Sequence, residues 1–201
     1  MKLYLRDMNE QLVDAWKLFF RNEPDVEVSC GDIWGVKADA IVSPANSYGF
    51  MDGGIDYVYT ERFGPKMQDD LQAEISARHY GELPIGQAIT IKLDDPDYKW
   101  LISAPTMRVP MNVSGSVNAY LAFRATLIAA LDHNIKQEEK KDRIFSLLCP
   151  GLGTMVGKLP VLVCAQQMYL AYRLIIRGDS LEFMDLGSAF VADRKLRGVA
   201  F

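Results

Sequence analysis

The sequence predicts a single α/β domain of three layers, in which helices cover both faces of a mixed central sheet. Strand-like and helical stretches alternate along most of the chain, and this alternation is typical of α/β/α folds. Two continuous apolar runs, within Ala38–Ser43 and Arg143–Cys149, indicate strands that are buried on both faces. Each run leads directly into a glycine-rich loop, as expected where a buried strand reaches the rim of a sheet.

The first quarter of the chain shows two strands around an amphipathic helix. Lys2–Leu5 alternates in polarity as a short strand does, and Val26–Ser29 is predicted as a second strand. Between them, the apolar residues of Met8–Arg21 recur at helical spacing, which predicts a helix with one buried face. The turn Gly31-Asp32-Ile33 then leads toward the third strand, Ala38–Ser43.

The remainder of the chain continues the alternation. We predict two helices, two strands joined by a turn, a long helix capped by Ser116, one more strand, and a last long helix that begins at Pro160 and stops at Gly178. The predicted helices after the first glycine loop are Ile55–Phe63 and Lys66–His79, and the predicted strands are Gly86–Leu93, Lys99–Ala104 and Arg143–Cys149.

Residues 1–180 are predicted to form one domain that includes the N-terminal strand and helix, and residues 181–201 form a tail without an assigned structure. The chain of 201 residues is 49% apolar and 24% charged, as in globular proteins that build their own core. Its net charge of −4 argues against bulk binding to nucleic acid. Backbone donors do not enter a charge count, so a nucleotide-sized anion is not excluded as a ligand.

Cysteine usage and apolar runs favour a cytoplasmic protein. Cys30, Cys149 and Cys164 form no C-x-x-C pair, so we expect no disulfide framework, no zinc site and a reducing compartment. The N-terminal residues lack the apolar stretch of a signal peptide, and the most apolar run, Leu159–Cys164, is too short to span a bilayer. We therefore expect no membrane contact, no metal and no cofactor.

Two glycine-rich loops, Ser43–Asp56 and Cys149–Pro160, carry most of the functional information. Each follows a predicted buried strand and precedes a predicted helix, so its backbone N–H groups lie at the carboxyl edge of the sheet, where open α/β proteins bind ligands. Neither loop matches a Walker motif or the G-x-G-x-x-G motif of dinucleotide-binding domains. Two such loops on one sheet indicate a cradle for a diphosphate rather than for a single anion.

Four short motifs occur in order along the chain: Gly31-Asp32-Ile33, Ala40–Asn46, Gly53–Asp56 and Pro150–Gly157. Together they resemble the macro domain, the ADP-ribose-binding family, over about Val26–Arg173. The resemblance implies a macro-domain-like three-layer fold and ADP-ribose or an ADP-ribosylated substrate as the partner. It further implies a metal-independent hydrolase of ADP-ribosyl linkages as the leading activity.

The resemblance also implies roles for single residues. Asp32 would accept a hydrogen bond from the adenine amino group, and Asn46 would reach the distal ribose. Asp56 matches the acid that, in hydrolytic members, helps to activate water at the anomeric carbon, so Asn46 and Asp56 are the expected catalytic residues. The expected ligand-binding residues are Asp32, Ile33, Asn46, Gly53, Gly54, Ile55, Gly151, Gly153, Thr154, Met155 and Val156.

Four departures from the family pattern stand near this site. Met51-Asp52 interrupts the glycine run, and we expect the Asp52 carboxylate to face solvent, because it would otherwise repel a diphosphate. Tyr57 stands where hydrolytic members usually carry a small residue, and Ser43 replaces an asparagine. The family's final strand is missing after the last helix, and we expect the N-terminal strand and helix to fill its place in the sheet.

Simpler roles are open for the same residues. Asp32 is also a common turn or helix-capping residue, Asn46 suits a turn with positive φ, and Asp56 would stabilise the first turn of the following helix. For the whole protein, the alternatives to a hydrolase are a non-catalytic reader of ADP-ribose and a structural protein of a phage-type assembly. Ligand titration combined with a turnover assay separates the three functions.

Overall fold

The computed structural model describes residues 1–198, and its strands form one six-stranded sheet in that part of the chain. The sheet order is β2-β1-β6-β3-β5-β4. All neighbours are parallel except β4, which is antiparallel to β5, so the predicted mixed sheet is confirmed. The strands are β1 (Lys2–Asp7), β2 (Val26–Cys30), β3 (Ala40–Ser43), β4 (Ile89–Lys92), β5 (Trp100–Ser103) and β6 (Ser146–Cys149).

Helices cover both faces of this sheet, as the predicted three layers require. Side chains of α1, α4 and α5 form the core on one face, and side chains of α2 and α3 form the core on the other. The helices are α1 (Glu10–Phe20), α2 (Gly54–Phe63), α3 (Lys66–His79), α4 (Asn118–Lys136), α5 (Val161–Ile176) and α6 (Leu186–Leu196).

The interior strands are buried on both faces, which explains their continuous apolar runs. In β3, Ile41 packs in the core under α2 and α3, and Val42 packs in the opposite core. The same alternation continues in β6 with Leu148 and Leu147. Because both faces are covered, a ligand can approach these strands at their ends, where the loops lie.

The N-terminal strand β1 lies inside the sheet rather than at its edge. Leu3 pairs in parallel with Val26 of β2 on one side and with Leu147 of β6 on the other. Helix α1 then packs against α5, where the Phe20 and Tyr169 rings lie 5.2 Å apart between centroids. Within residues 1–198 no strand follows α5, and β1 lies between β2 and β6. That β1 takes the place of the family's final strand stays a prediction.

Two local details differ from the predictions. Helix α6 lies in the stretch for which no structure was predicted; Asp185 and Ser188 form a capping box at its start, but Leu186 and Phe190 are exposed, so no buried face marks the helix. Helix α4 begins two residues after Ser116, whose Oγ accepts the N–H of Asn118 at 3.2 Å.

No helix within residues 1–198 combines the length and apolarity needed to cross a bilayer.

Candidate ligand-binding cleft

A cleft opens at the carboxyl edge of the parallel strands. It lies between the loop after β3 and the loop after β6, with the end of β1 on one side and the loop after β5 on the other. The two glycine-rich loops therefore face each other across one space. The lining residues are Asp7, Pro44–Asn46, Phe50, Asp52–Asp56, Thr106, Met107, Pro110, Pro150, Gly151 and Gly153–Gly157.

The first loop presents backbone donors at the start of α2. Gly53 precedes this helix, which has no side-chain cap, and the first N–H groups of any helix lack partners within it. No hydrogen bond within residues 1–198 uses the N–H groups of Gly53–Ile55. Gly54 has a φ of +58°, a conformation that favours glycine. The positive end of the α2 dipole adds to the attraction for an anion at this point.

The Asn46 side chain holds the turn within the first loop. Its Oδ1 accepts the N–H groups of Tyr48 at 3.1 Å and Phe50 at 3.3 Å, and its Nδ2 donates to the Phe50 carbonyl at 2.7 Å. Asn46 also lines the cleft, and its backbone bridges to Met107. The turn role is therefore present in the structure, although Asn46 does not have the positive φ considered for it, and one Nδ2 hydrogen is left for the predicted contact with a distal ribose.

Asp56 is a buried carboxyl group in the first turn of α2, at the cleft wall. The residue is 6% exposed, and its Oδ1 accepts a hydrogen bond from Ser43 Oγ at 2.6 Å. The pKa of Asp56 is raised from 3.8 to about 7, chiefly by burial and also by the charge of Asp52, against the lowering effect of the Ser43 hydrogen bond. Asp56 therefore exchanges a proton near neutral pH, which suits acid–base chemistry.

Asp52 is exposed, as expected from the repulsion that it would exert on a diphosphate. It nevertheless lines the rim of the cleft, and its charge acts on Asp56. The interruption of the glycine run thus places a carboxylate beside the site rather than away from it.

The second loop is closed by its own backbone. Gly153 has a φ of +71°, and its carbonyl accepts the N–H of Leu159 at 3.0 Å. A Cβ on Gly157 would lie 2.5 Å from the Gly153 carbonyl oxygen, so this position requires glycine. No hydrogen bond within residues 1–198 uses the N–H groups of Thr154–Val156. This loop therefore brings a second set of backbone donors to the cleft, opposite the first.

Gly151 is held by a carboxylate that the sequence did not assign to the site. Its N–H donates to Asp7 Oδ2 at 3.0 Å, while Asp7 Oδ1 accepts the N–H of Asn9 at 2.9 Å. A Cβ on Gly151 would lie 2.5 Å from Leu12 Cδ2, so the loop packs directly on α1. Asp7 lines the cleft because β1 lies beside β6, a pairing that no local sequence signal shows.

Asp32 and Ile33 lie outside the cleft lining. The Asp32 carboxylate is exposed and accepts the N–H of Trp34 at 2.8 Å in a short 3-10 turn, and its carbonyl accepts from Arg6 Nε at 2.6 Å. Ile33 is 7% exposed and packs in the core under α2 and α3. Both follow β2, the outermost strand on that side, so the adenine contact of Asp32 stays a prediction.

The loop after β5 is a part of the site that sequence reasoning missed. Thr106 and Met107 line the cleft beside Asn46, and Pro110 follows them. The available signal was a loop rich in Pro, Gly, Asn and Ser directly after a predicted strand, as in the two assigned loops.

The charged side chains of the cleft are all acidic. Asp7, Asp52 and Asp56 line it, and within residues 1–198 no Lys, Arg or His side chain does. In the same part of the chain, no three His, Cys, Asp or Glu side chains are grouped to hold a metal ion. An anion in this cleft would therefore be bound by neutral donors, chiefly backbone N–H groups, and by a helix dipole.

Fold and cleft together define an α/β domain whose candidate ligand site lies across the carboxyl ends of parallel strands. The model of the macro domain matches residues 42–168, more than half of the chain. An uncharacterized protein of Aquifex aeolicus is 33% identical over 144 residues, which are 72% of this chain and 78% of that protein. The chain therefore belongs to the macro domain family.

Solved macrodomains share the fold at low sequence identity. The macrodomain of Mycobacterium tuberculosis DarG is 23% identical with a TM-score of 0.59, and the match covers 72% of this chain and 88% of that one. A variant of the Oceanobacillus iheyensis macrodomain, solved with ADPR, is 17% identical with a TM-score of 0.57, covering 84% of this chain and 90% of that one. These matches confirm the predicted fold class.

Proposed function

We propose that the cleft binds ADP-ribose or an ADP-ribose derivative, with the diphosphate held between the two glycine-rich loops. The observation that carries the proposal is the pair of facing donor sets, Gly53–Ile55 and Thr154–Val156. Each set lies at a loop or helix start that can donate to one phosphate group. The same ligand is supported by membership of the macro domain family and by the structural similarity to the Oceanobacillus iheyensis macrodomain variant that was solved with ADPR.

The order of the strands favours one orientation of the ligand. Along the carboxyl edge, Asp32 follows β2, Asp7 ends β1, and the second and first loops follow β6 and β3. With the adenine toward Asp32 and the diphosphate on the loops, the distal ribose lies toward Asn46 and Asp56. The adenosine ribose then lies nearest to Asp7.

The proposed activity is hydrolysis of an ADP-ribosyl linkage at the distal ribose. The water oxygen forms a bond to the anomeric carbon while the bond from that carbon to the leaving group breaks and its electron pair stays with the leaving group. The Asp56 carboxylate takes the proton that the water loses, and this proton then passes to the leaving group, which regenerates the carboxylate. Asp56 is suited to this role because burial raises its pKa to about 7 and Ser43 fixes its orientation. Asn46 lines the same part of the cleft and positions the ribose.

A calorimetric titration with ADP-ribose, AMP and NAD tests the ligand class. Selective binding of ADP-ribose supports the proposal, because AMP cannot bridge both donor sets. Equal binding of AMP contradicts the diphosphate cradle. A folded protein that does not bind ADP-ribose at millimolar concentration would point to the structural role instead.

A second candidate is a reader that binds ADP-ribose without cleaving it. Both polar atoms of the Asn46 side chain already form hydrogen bonds within the turn. This favours a reader, because only one hydrogen of the amide is left to position a substrate. A turnover assay with an ADP-ribosylated protein, run beside the titration, separates the two. Binding without released ADP-ribose indicates a reader.

A further inference from the structure

We propose that Asp7 and Asp52 make the cleft selective for ADP-ribose compounds whose negative charge is confined to the diphosphate, so that a phosphate monoester on either ribose is rejected. The proposal rests on the proposed ADP-ribose binding and specifies its substrate class. The accepted ligands are ADP-ribose itself and adducts that carry a neutral or cationic group on the distal ribose.

Asp7 acts at the adenosine end of the cleft. Its two carboxylate oxygens accept the N–H groups of Gly151 at 3.0 Å and Asn9 at 2.9 Å, which hold the group rigidly at the cleft wall. A fixed carboxylate accepts a hydrogen bond from a ribose hydroxyl. The same carboxylate repels a phosphate group that replaces the hydroxyl hydrogen.

Asp52 acts at the other end of the cleft. It stands one residue before the donor set Gly53–Ile55, and its charge already acts on Asp56 at the proposed position of the distal ribose. A phosphate on that ribose brings about two further negative charges close to both carboxylates. Adducts with a neutral or cationic group bring no such repulsion.

Among the described residues, the cleft contains no cationic side chain that offsets this repulsion. Within residues 1–198 no Lys, Arg or His lines it, so the attraction for phosphate comes from neutral donors, above all the backbone N–H groups of the two loops. Like charges a few ångströms apart near a protein surface change affinity by on the order of tenfold.

Calorimetry at low ionic strength with ADP-ribose, ADP-ribose 1″-phosphate and ADP-ribose 2′-phosphate tests the proposal. We expect the protein to bind ADP-ribose on the order of tenfold more tightly than either monoester. D52N should narrow the gap for the 1″-phosphate, and D7N the gap for the 2′-phosphate. D132N is the matched control, because Asp132 is an exposed acid roughly 20 Å along α4 from the end of that helix that meets the cleft.

The outcomes separate this proposal from the proposed function. Equal affinity for all three ligands, or a ratio of ADP-ribose to 1″-phosphate affinity that D52N leaves unchanged, overturns the selectivity while ADP-ribose binding stands. No binding of ADP-ribose by the folded protein overturns both. Asp52 is exposed, so D52N keeps the fold, and it decides the question even if D7N does not fold.

Discussion

The two loops that face each other across the cleft are held in different ways. Side chains fix the first loop: Asn46 ties its turn, and Gln68 Oε1 accepts the N–H of Met51 at 2.7 Å. The second loop is fixed by its own backbone bonds, by the Asp7 carboxylate that accepts the Gly151 N–H, and by close packing at Gly151 and Gly157. The turn of the first loop therefore depends on side-chain contacts, whereas the second loop depends mainly on its backbone and on glycine at its tightest contacts.

The difference extends to chemistry. The first loop carries the buried carboxyl group of Asp56, whereas the side chains that the second loop presents, Met155 and Val156, are 79% and 53% exposed. In the proposed function, the first loop holds the group that transfers a proton, and the second loop supplies donors and apolar cover. Substitutions in the two loops should therefore affect different measurements.

The largest expected effect comes from D56N. Asparagine keeps the shape of the side chain and an oxygen for the Ser43 hydrogen bond, but it cannot accept the proton of water. We expect kcat for an ADP-ribosylated substrate to fall by about 10²–10⁴, with ADP-ribose affinity changed by only a few-fold. Full turnover in D56N, measured beside D132N, would remove Asp56 from the mechanism, whereas binding without turnover in the unsubstituted protein would assign it to the readers.

The pH dependence of stability sharpens the same comparison. The folded-state pKa of Asp56, about 7, lies above its ordinary value of 3.8, so the folded chain holds an extra proton between these pH values. The contribution of the protonated Asp56 to the stability of the fold is complete below about pH 4 and is lost as pH rises through about 7. From pH 5 to pH 8, the free energy of unfolding should fall by about 2–3 kcal/mol more than in D56N. Urea unfolding of both proteins measures this, and parallel pH profiles would contradict it.

Glycine substitutions compare the loops directly. A Cβ at Gly157 meets the Gly153 carbonyl oxygen at 2.5 Å, whereas a Cβ at Gly53 meets nothing within 4 Å. We expect G157A to lower the free energy of unfolding by about 1–3 kcal/mol and to weaken ADP-ribose binding. G53A should cost less than about 1 kcal/mol. Equal losses in urea unfolding would show that the loops are not held differently.

Sequence predicts those parts of the fold whose cause is local. β3 and β6 produce continuous apolar runs because both of their faces are buried, and the glycine-rich loops that follow them mark the cleft. Helices α2 and α3 were predicted closely because Gly64-Pro65 separates two helical stretches.

What the sequence did not predict depends on distant contacts. Asp7 joins the site because β1 pairs with β6, which brings Asp7 within hydrogen-bond distance of Gly151, a residue 144 positions away in the sequence. The raised pKa of Asp56 depends on burial, which no motif reports. Asp32 lies apart from the cleft because β2 is the outermost strand, although its local turn was predictable.

The smallest expected effect tests the cover formed by the second loop. Met155 lines the cleft yet is 79% exposed, so a ligand held on the neighbouring N–H groups would bury part of its side chain. Removing that contact in M155A should weaken ADP-ribose binding about fivefold, or about 1 kcal/mol, while kcat stays within a few-fold. M184A is the control, because Met184 is 97% exposed and lies outside the cleft lining. A loss of turnover in M155A without a loss of affinity would mean that the second loop takes part in the chemistry. That result would contradict the assignment of proton transfer to the first loop and of ligand binding alone to the second.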